Sequence, residues 1–579
     1  MEKFSLFKPF FKGYGQSYIW GVLFLMIINA ITLWIPKLTG AAIDTLSNNK
    51  EGLSTYILYF IVIMIIVTYL KYKSRSNLLG SIRQLEFLLR RELFRHALAI
   101  PATYYEKNGP GKVMALMTND VTSLRVSLGL GVMIVIDVIF FALFAFVLLA
   151  QNISLYLASI ILLPMPFISI IVLYLSRSMR KRQRAAQATY SDLTEYSQEL
   201  FLGMHVIRSF NRELTSLKRF NFINKKNYEN NLKVALVESF LVPLTFIAPF
   251  ICFAIDIYVC GQLILAGQLT IGEFVSINGY IMLLIGPIMG LGTLNTIMQK
   301  GLASLDRLSE FLSIEEEPID AINESRLPFT RIQAKRLSFA YENTNVNVLQ
   351  DINFDIKPGQ FIGIVGAPGS GKSTLFKLLL RLQTPNRNTL FIGDKDILDI
   401  PLTELRRSIA YVPPVAYVLG GTIAENIKFG EKNAESLSLE IAAQRAALTR
   451  DLGEKIKSKE DNLYEGGQNL SGGQKQRINI ARGLFKNAQY ILMDDSFSAL
   501  DGNSANLIIK TLREKSDQTL LFISQRLEAL VNADEIWVFK EGKIIERGTH
   551  EALIALQGEY VNLYNKQISK GGCKRGKRF

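Results

Sequence analysis

Gly366-Ala367-Pro368-Gly369-Ser370-Gly371-Lys372-Ser373-Thr374 follows the apolar, strand-like run Phe361 to Val365. A strand feeding a glycine-rich turn that carries a lysine and hydroxyls is a phosphate cradle. The glycines let backbone N–H groups wrap phosphate oxygens at a helix N-terminus, Lys372 reaches the β and γ oxygens, and the Ser373 hydroxyl ligates Mg²⁺. Gly366, Gly369, Ser370, Gly371 and Thr374 complete the cradle. A second ordered motif, Leu470-Ser471-Gly472-Gly473-Gln474, lies further along the chain. Together the two motifs read as a chain that binds and uses ATP.

These motifs occupy only the C-terminal part of 579 residues, so the length implies at least one further domain. A hydrophobic fraction of 49% and a mean hydropathy of +0.20 are high for a soluble protein. The apolar residues concentrate before residue 300 in runs that approach the roughly 20 residues needed to cross a hydrocarbon core. The net charge of +14 allows a nucleic-acid partner, but the basic residues lie between the apolar runs and in the tail Lys574 to Arg578. Positive-inside topology explains the loop charges, and no nucleic-acid partner is expected. Cys252 and Cys260 fall in one apolar run and Cys573 in the tail, with no metal spacing, which fits reduced thiols.

Six spans are expected: Tyr18 to Ile35, Thr55 to Leu70, Leu128 to Ala150, Leu155 to Leu175, Phe240 to Leu265 and Phe274 to Met298. Met1 to Ser17 reads as an interfacial amphipathic helix leading into a retained anchor rather than a signal peptide, since no small-residue cleavage site follows. Segment 71–126 carries ten Lys or Arg and segment 176–237 twelve, whereas Gln151 to Ser154 and Ala266 to Glu273 carry none. Both long loops and both termini therefore face the cytoplasm. Two helices of roughly 25 residues out and back make each loop an arm on the order of 40 Å. The turns are expected near Tyr105 to Thr118 and Leu202 to Arg212. A solvated hairpin is the bland reading; coupling to the ATPase on the same chain is the sharper one. Residues 1–313 are thus an all-α six-helix transmembrane domain, 314–328 a linker, 329–569 an α/β phosphate-loop ATPase domain, and 570–579 a basic tail.

With these motifs on the page, the whole chain resembles a half-transporter of the type IV ABC exporter family, and Leu470 to Gln474 matches the signature peptide of the ABC ATPases. Tyr341, at the end of Leu337-Ser338-Phe339-Ala340-Tyr341, matches the family's adenine-stacking aromatic; an edge-strand aromatic is the alternative. Ile491-Leu492-Met493-Asp494-Asp495 is an apolar strand ending in two carboxylates. Asp494 is placed to hold Mg²⁺ with Ser373, because that ion keeps much of its water and takes few protein ligands. The family puts a glutamate next, as the base that polarises water; here it is Asp495. One methylene fewer withdraws the carboxylate by roughly 1.5 Å, and about 1 Å of misplacement can cost on the order of a hundredfold in rate. Pro414 stands where the family has a metal-contacting glutamine, and Gln525 replaces the switch histidine. An amide can hydrogen-bond there but carries no charge.

The resemblance implies that each signature peptide closes over the nucleotide of the other ATPase domain. Ser471, Gly472, Gly473 and Gln474 are intact, as are Ser498-Ala499-Leu500-Asp501, Leu269 to Glu273, Ala303 to Arg307 and Glu465. An intact signature beside three altered catalytic positions implies a heterodimer with a second half-transporter, as in the Gram-positive two-subunit multidrug exporters. The expected activity is ATP-driven export of amphiphilic small molecules from membrane lipid across the plasma membrane. A lipid or peptide exporter subunit and a regulatory ATP-binding subunit are the alternatives. Asp137 and Asp256 interrupt apolar runs, and an ionisable residue at membrane depth marks a pathway, a partner or a structural acid. With Asn278 and Asn295 they are the candidate substrate residues.

Overall fold

The computed structural model describes residues 8–47, 52–152, 154–318, 327–341, 344, 346–430, 438–457, 463–498, 500–513 and 518–572. It divides into two compact units, Met1–Leu98 with Asn108–Glu315, and Ala99–Lys107 with Glu316–Phe579. Most of the expected linker, residues 319–326, and most of the basic tail, residues 573–579, lie outside the described residues.

The first unit is helical. Its elements are α1 (Lys8–Ser47), α2 (Leu53–Ala99), α3 (Ala102–Ala115), α4 (Val121–Val126), α5 (Val132–Asn152), α6 (Leu155–Leu162), α7 (Pro164–Leu202), α8 (Met204–Ser209), α9 (Glu213–Leu265), α10 (Ile271–Leu283) and α11 (Ile285–Leu312). Phe10–Ser47, Leu53–Ala99 and Ala102–Gln151 are each long and apolar enough to cross a membrane. The other expected spans are present as shorter apolar pieces, Leu155–Phe167, Pro249–Leu265 and Ile271–Leu283. The fourth breaks at Leu163 because Pro164 has no N–H to continue the ladder. The sixth breaks at Leu284, and its second half runs on to Leu312. Residues 1–7 of the expected interfacial helix lie outside the described residues; from Lys8 onward α1 is one continuous helix, with no separate interfacial segment.

Ile57, Ile61, Ile65, Trp34 and Tyr174 leave large apolar surfaces exposed, an arrangement stable only in hydrocarbon. The interior is built where side chains are small. A Cβ on Gly40 would come within 2.0 Å of Ser276 Oγ, and one on Gly279 within 2.7 Å of Pro36, so α1 and α10 pack nearly backbone to backbone. Ser276 Oγ donates to Pro36 O (3.0 Å), and the Thr270 hydroxyl and Gly272 N–H both donate to Asp44 at 2.8 Å. Leu33, Leu149, Ile161, Cys260, Ile277 and Tyr280 close one core between α1, α5, α6, α9 and α10.

The second arm is an antiparallel pair. Arg182 donates to Lys233 O (3.4 Å) and Tyr196 to Ser216 O (3.3 Å), and the chain reverses through Gly203 and α8 as the sequence predicts. In the first arm α2 ends at Ala99, before Pro101, and the next helix kinks at Gly109, where φ is +69°. The reversal therefore starts earlier than Tyr105. Two π-helical turns, Leu116–Asp120 and Ser127–Gly131, flank α4. Asp120 accepts from Ser304 (2.8 Å) and from the Arg307 guanidinium, which ties this stretch to α11.

The second unit has two sheets. Strands β1 (Ile332–Phe339), β2 (Leu349–Ile356), β4 (Leu390–Ile392) and β5 (Lys395–Asp396) form an antiparallel sheet ordered β2-β1-β4-β5. The other is ordered β10-β9-β3-β8-β7-β6, from β3 (Phe361–Gly366), β6 (Ile409–Val412), β7 (Tyr490–Asp494), β8 (Thr519–Ile523), β9 (Glu535–Lys540) and β10 (Lys543–Gly548). Its β9-β3-β8-β7-β6 portion is parallel and buried on both faces, which accounts for the unbroken apolar runs of β3, β7 and β8. The helices here are α12 (Lys372–Leu379), α13 (Leu402–Ser408), α14 (Ile423–Lys428), α15 (Leu439–Arg445), α16 (Thr449–Lys457), α17 (Gly472–Phe485), α18 (Gly502–Arg513), α19 (His550–Leu556) and α20 (Glu559–Gly572).

Candidate nucleotide-binding site

Parallel strands β3, β7 and β8 end side by side, and their C-terminal ends carry the phosphate loop, the two aspartates and Ser524-Gln525. Such an end of an open α/β sheet is where ligands bind. Gly366, Gly369 and Gly371 have φ of +147°, +81° and +98°. A Cβ on Gly371 would sit 2.7 Å from Leu349 and 2.8 Å from Val348 O, so both conformation and space demand glycine. Lys372 opens α12 and its ammonium donates to Gly366 O (2.9 Å), Ala367 O (2.7 Å) and Ser370 Oγ (3.1 Å), bracing the loop. Burial pulls the Lys372 ammonium below its ordinary range, and Asp494 and Asp495 oppose that shift.

Ser373 Oγ donates to Asp494 Oδ1 at 3.0 Å. Burial pushes the Asp494 carboxyl up, the Ser373 bond opposes it and Asp495 adds to it. Asp495 is also pushed up by burial, against the Gln525 N–H and the charges of Lys372 and Arg526. The buried Asp494 carboxylate, the half-buried Asp495 beside it and a hydroxyl, with one ammonium nearby, are a hard oxygen set short of positive charge. That set fits Mg²⁺, which takes few protein ligands. Bound there with nucleotide, the ion would neutralise phosphate charge.

Asp495 has φ +43°, a left-handed backbone that Asp tolerates better than most residues. Its N–H donates to Ile523 O (2.8 Å), and its carboxylate accepts from Gln525 N–H (3.4 Å). Asp495 and Gln525 are thus brought together, through the backbone of Gln525 rather than its amide. Pro414 is exposed, while the carbonyl of Pro413 before it accepts from Gln476 (3.5 Å) and Asn479 (3.4 Å) of α17.

Tyr341 donates to or accepts from Thr374 Oγ1 at 3.1 Å, and Phe339 packs edge-on at 5.2 Å. Sequence reasoning missed three neighbours. Lys377 lies 5.9 Å from the centre of the Tyr341 ring and pairs with Glu106 (2.8 Å), which also accepts from Gln383 (3.4 Å). Tyr411 lies beside Asp494, and its hydroxyl is pushed up by burial and then by that carboxylate. The Glu106 contact spans 271 positions and carries no local signal, whereas Tyr411 was legible in principle as the end of the strand beside β7.

Ser471 caps α17 in a reciprocal box: its hydroxyl accepts from Gln474 N–H (3.2 Å) and its N–H donates to Gln474 Oε1 (3.0 Å). Ser471 and Gly472 are exposed, and a Cβ on Gly472 would meet open space. Ser504, through its hydroxyl and then its N–H (3.0 Å), holds the Asp501 carboxyl below the usual range. Ala499 and the Glu465 side chain lie outside the described residues.

Among the described residues, the four candidate substrate residues are not joined by one hydrogen-bond network. Asp137 accepts from Asn29 Nδ2 (2.8 Å), and Asn295 accepts from Gln299 (2.9 Å). Asp256 is fully buried, accepts from Cys260 Sγ (3.0 Å) and neighbours Asn278, which donates to Phe274 O (2.9 Å).

An ATPase of this sheet order, preceded by a helical membrane unit, defines the class of protein. The ABC transporter transmembrane region model matches residues 18–288 and the ABC transporter model residues 349–498. The chain is 34% identical to the probable multidrug resistance ABC transporter ATP-binding/permease protein YheI of Bacillus subtilis, covering 97% of this chain and 98% of that protein. It is 30% identical to the multidrug resistance-like ATP-binding protein MdlA of Escherichia coli (98% and 97%), and 32% identical to an ATP-dependent lipid A-core flippase of Nitrosococcus oceani (83% and 81%). Its fold matches the structure of a bacterial Atm1-family ABC exporter with ATP bound at TM-score 0.77, with 21% identity, covering 96% of this chain and 99% of that one. The chain belongs to the ABC transporter family, as an exporter half-transporter with a membrane domain and an ATPase domain.

Proposed function

We propose that this chain is the degenerate-site subunit of a heterodimeric exporter, LmrC-like, that moves amphiphilic drugs or toxic compounds out across the plasma membrane at the expense of ATP. One observation carries this reading. Asp495, Pro414 and Gln525 stand at the catalytic positions beside an intact Lys372, Ser373, Asp494 and an intact Ser471 to Gln474. Tyr341 stacks the adenine, the phosphate-loop amides and Lys372 hold the phosphates, and Ser373 with Asp494 holds Mg²⁺. Asp495 is short of the attacking water and engaged by the Gln525 N–H, so this site binds nucleotide and hydrolyses it slowly. Ser471, Gly472, Gly473 and Gln474 close over the partner's nucleotide, where turnover occurs. The Lys and Arg of the two arms keep these and both termini on the cytoplasmic side.

The test is steady-state ATPase of the chain alone and of the assembly it co-purifies with. The chain alone binds ATP but turns over about a hundredfold more slowly. Equal turnover by the two preparations contradicts the reading.

A lipid substrate is the second reading, favoured by an apolar groove of about 740 Å³ lined by Ile160, Ile247, Phe250, Ile251, Ile255 and Tyr258. Asp137 tests whether the drug reading includes recognition of positive charge. Asp137→Asn keeps the oxygen that Asn29 uses and removes only the charge. Transport of permanently cationic drugs is expected to fall severalfold while neutral drugs are spared; equal loss of both in vesicle uptake gives Asp137 a structural role instead.

A further inference from the structure

The C-terminal helix α20 has a task that the nucleotide motifs do not account for. Its N-terminus is fixed by Glu546 of β10, whose carboxylate accepts from both Glu559 N–H (2.5 Å) and Tyr560 N–H (3.0 Å). A side chain at Gly558 would collide with that carboxylate at 2.3 Å. The fully buried Tyr560 hydrogen-bonds His550 Nδ1 (2.8 Å) and stacks on Tyr564, while Leu563 and Tyr564 pack on the ATPase core. Tyr560, Leu563, Tyr564 and Gln567 follow the i, i+3, i+4, i+7 spacing of one helix face, so Gln567 is the polar residue ending an apolar stripe.

Its amide grips the switch segment at two points. Gln567 Nε2 donates to the carbonyl of Gln525, and Gln567 Oε1 accepts from Leu527 N–H at 3.2 Å. One side chain thus pairs with a backbone as a neighbouring strand would. The gripped segment presents Gln525 N–H to Asp495, and Arg526 reaches Ser498 O (3.3 Å).

We propose that Gln567 is a positioning residue that locks the switch segment against Asp495 and thereby slows nucleotide release from this site. The inference rests on reading Asp495 and Gln525 as a site that retains ATP. It is tested on the full-length assembled transporter with labelled 8-azido-ATP, followed by dilution into unlabelled ATP and subunit-resolved photolabelling. Gln567→Ala should release nucleotide from this chain about tenfold faster, the scale of two net hydrogen bonds. Gln567→Glu keeps an acceptor for Leu527 N–H but sets a carboxylate oxygen against the Gln525 carbonyl, so it too should release nucleotide faster than wild type. Asn565→Ala, on an exposed neighbouring position, should match wild type in release. Wild-type release by Gln567→Ala overturns the inference; if that variant fails to assemble, wild-type release by Gln567→Glu does so. Failure of the unmodified chain to retain label instead overturns the underlying reading of the site.

Discussion

Gly473→Glu in this chain is expected to cut ATP turnover of the assembled transporter by about two orders of magnitude while this chain's own site keeps its nucleotide. The peptide is the N-terminus of a 14-residue helix, capped by Ser471 and Gln474, with Ser471 and Gly472 exposed. Aligned N–H groups at such a terminus attract phosphate oxygens. A carboxylate inserted there reverses the local charge, and about 2.7 kcal/mol of lost transition-state stabilisation is a hundredfold. The cost falls on whichever nucleotide the peptide covers. Turnover together with subunit-resolved nucleotide trapping checks this: loss of trapping on this chain, with the partner's unchanged, would reverse the assignment.

Lys372→Ala is expected to weaken ATP binding at this chain's site by about a hundredfold. The ammonium makes three hydrogen bonds that brace the phosphate loop, to Gly366 O, Ala367 O and Ser370 Oγ, and its charge bears on both Asp494 and Asp495. Truncation removes the brace and leaves the buried Asp494 and half-buried Asp495 carboxylates facing an anionic ligand; charge-assisted bonds each contribute about 1.5–3 kcal/mol. Lys372→Gln retains donors without charge and should recover only part of the loss. Equilibrium binding of a fluorescent ATP analogue gives both values. Unchanged affinity in Lys372→Ala would remove this loop from the nucleotide site.

What was legible in the sequence was local. The phosphate loop, the capped signature helix and the metal-strand aspartates are contiguous motifs whose backbone demands are written into a few residues, such as the left-handed glycines 366, 369 and 371. The membrane helices were legible as apolar runs. Their interruptions at Leu163 and Leu284 were not, because hydropathy averages over a proline or a local change of pitch. The π-helical turns around Val121–Val126 left no mark either, nor did the tie from Asp120 to Ser304 and Arg307, 184 and 187 positions away. The same holds for Asn29 on Asp137 and Glu106 on Lys377. Asp137 and Asp256 stand out in the sequence as ionisable residues in apolar runs, but only tertiary packing shows whether a neighbour already satisfies them.

The degenerate-site claim turns on Asp495. Asp495→Glu lengthens the reach of the carboxylate, yet on the proposed reading Pro414 and Gln525 still leave the site incomplete, and groups that act as a unit recover far less singly than together. The decisive measurement is steady-state ATPase of the assembled transporter carrying Asp495→Asn, with nucleotide binding and assembly verified in the same preparation. A loss of less than about threefold is predicted, against a near-complete stop when the partner's catalytic glutamate is neutralised. Abolition of turnover by Asp495→Asn alone would show that this site hydrolyses ATP on the main pathway and would contradict the account.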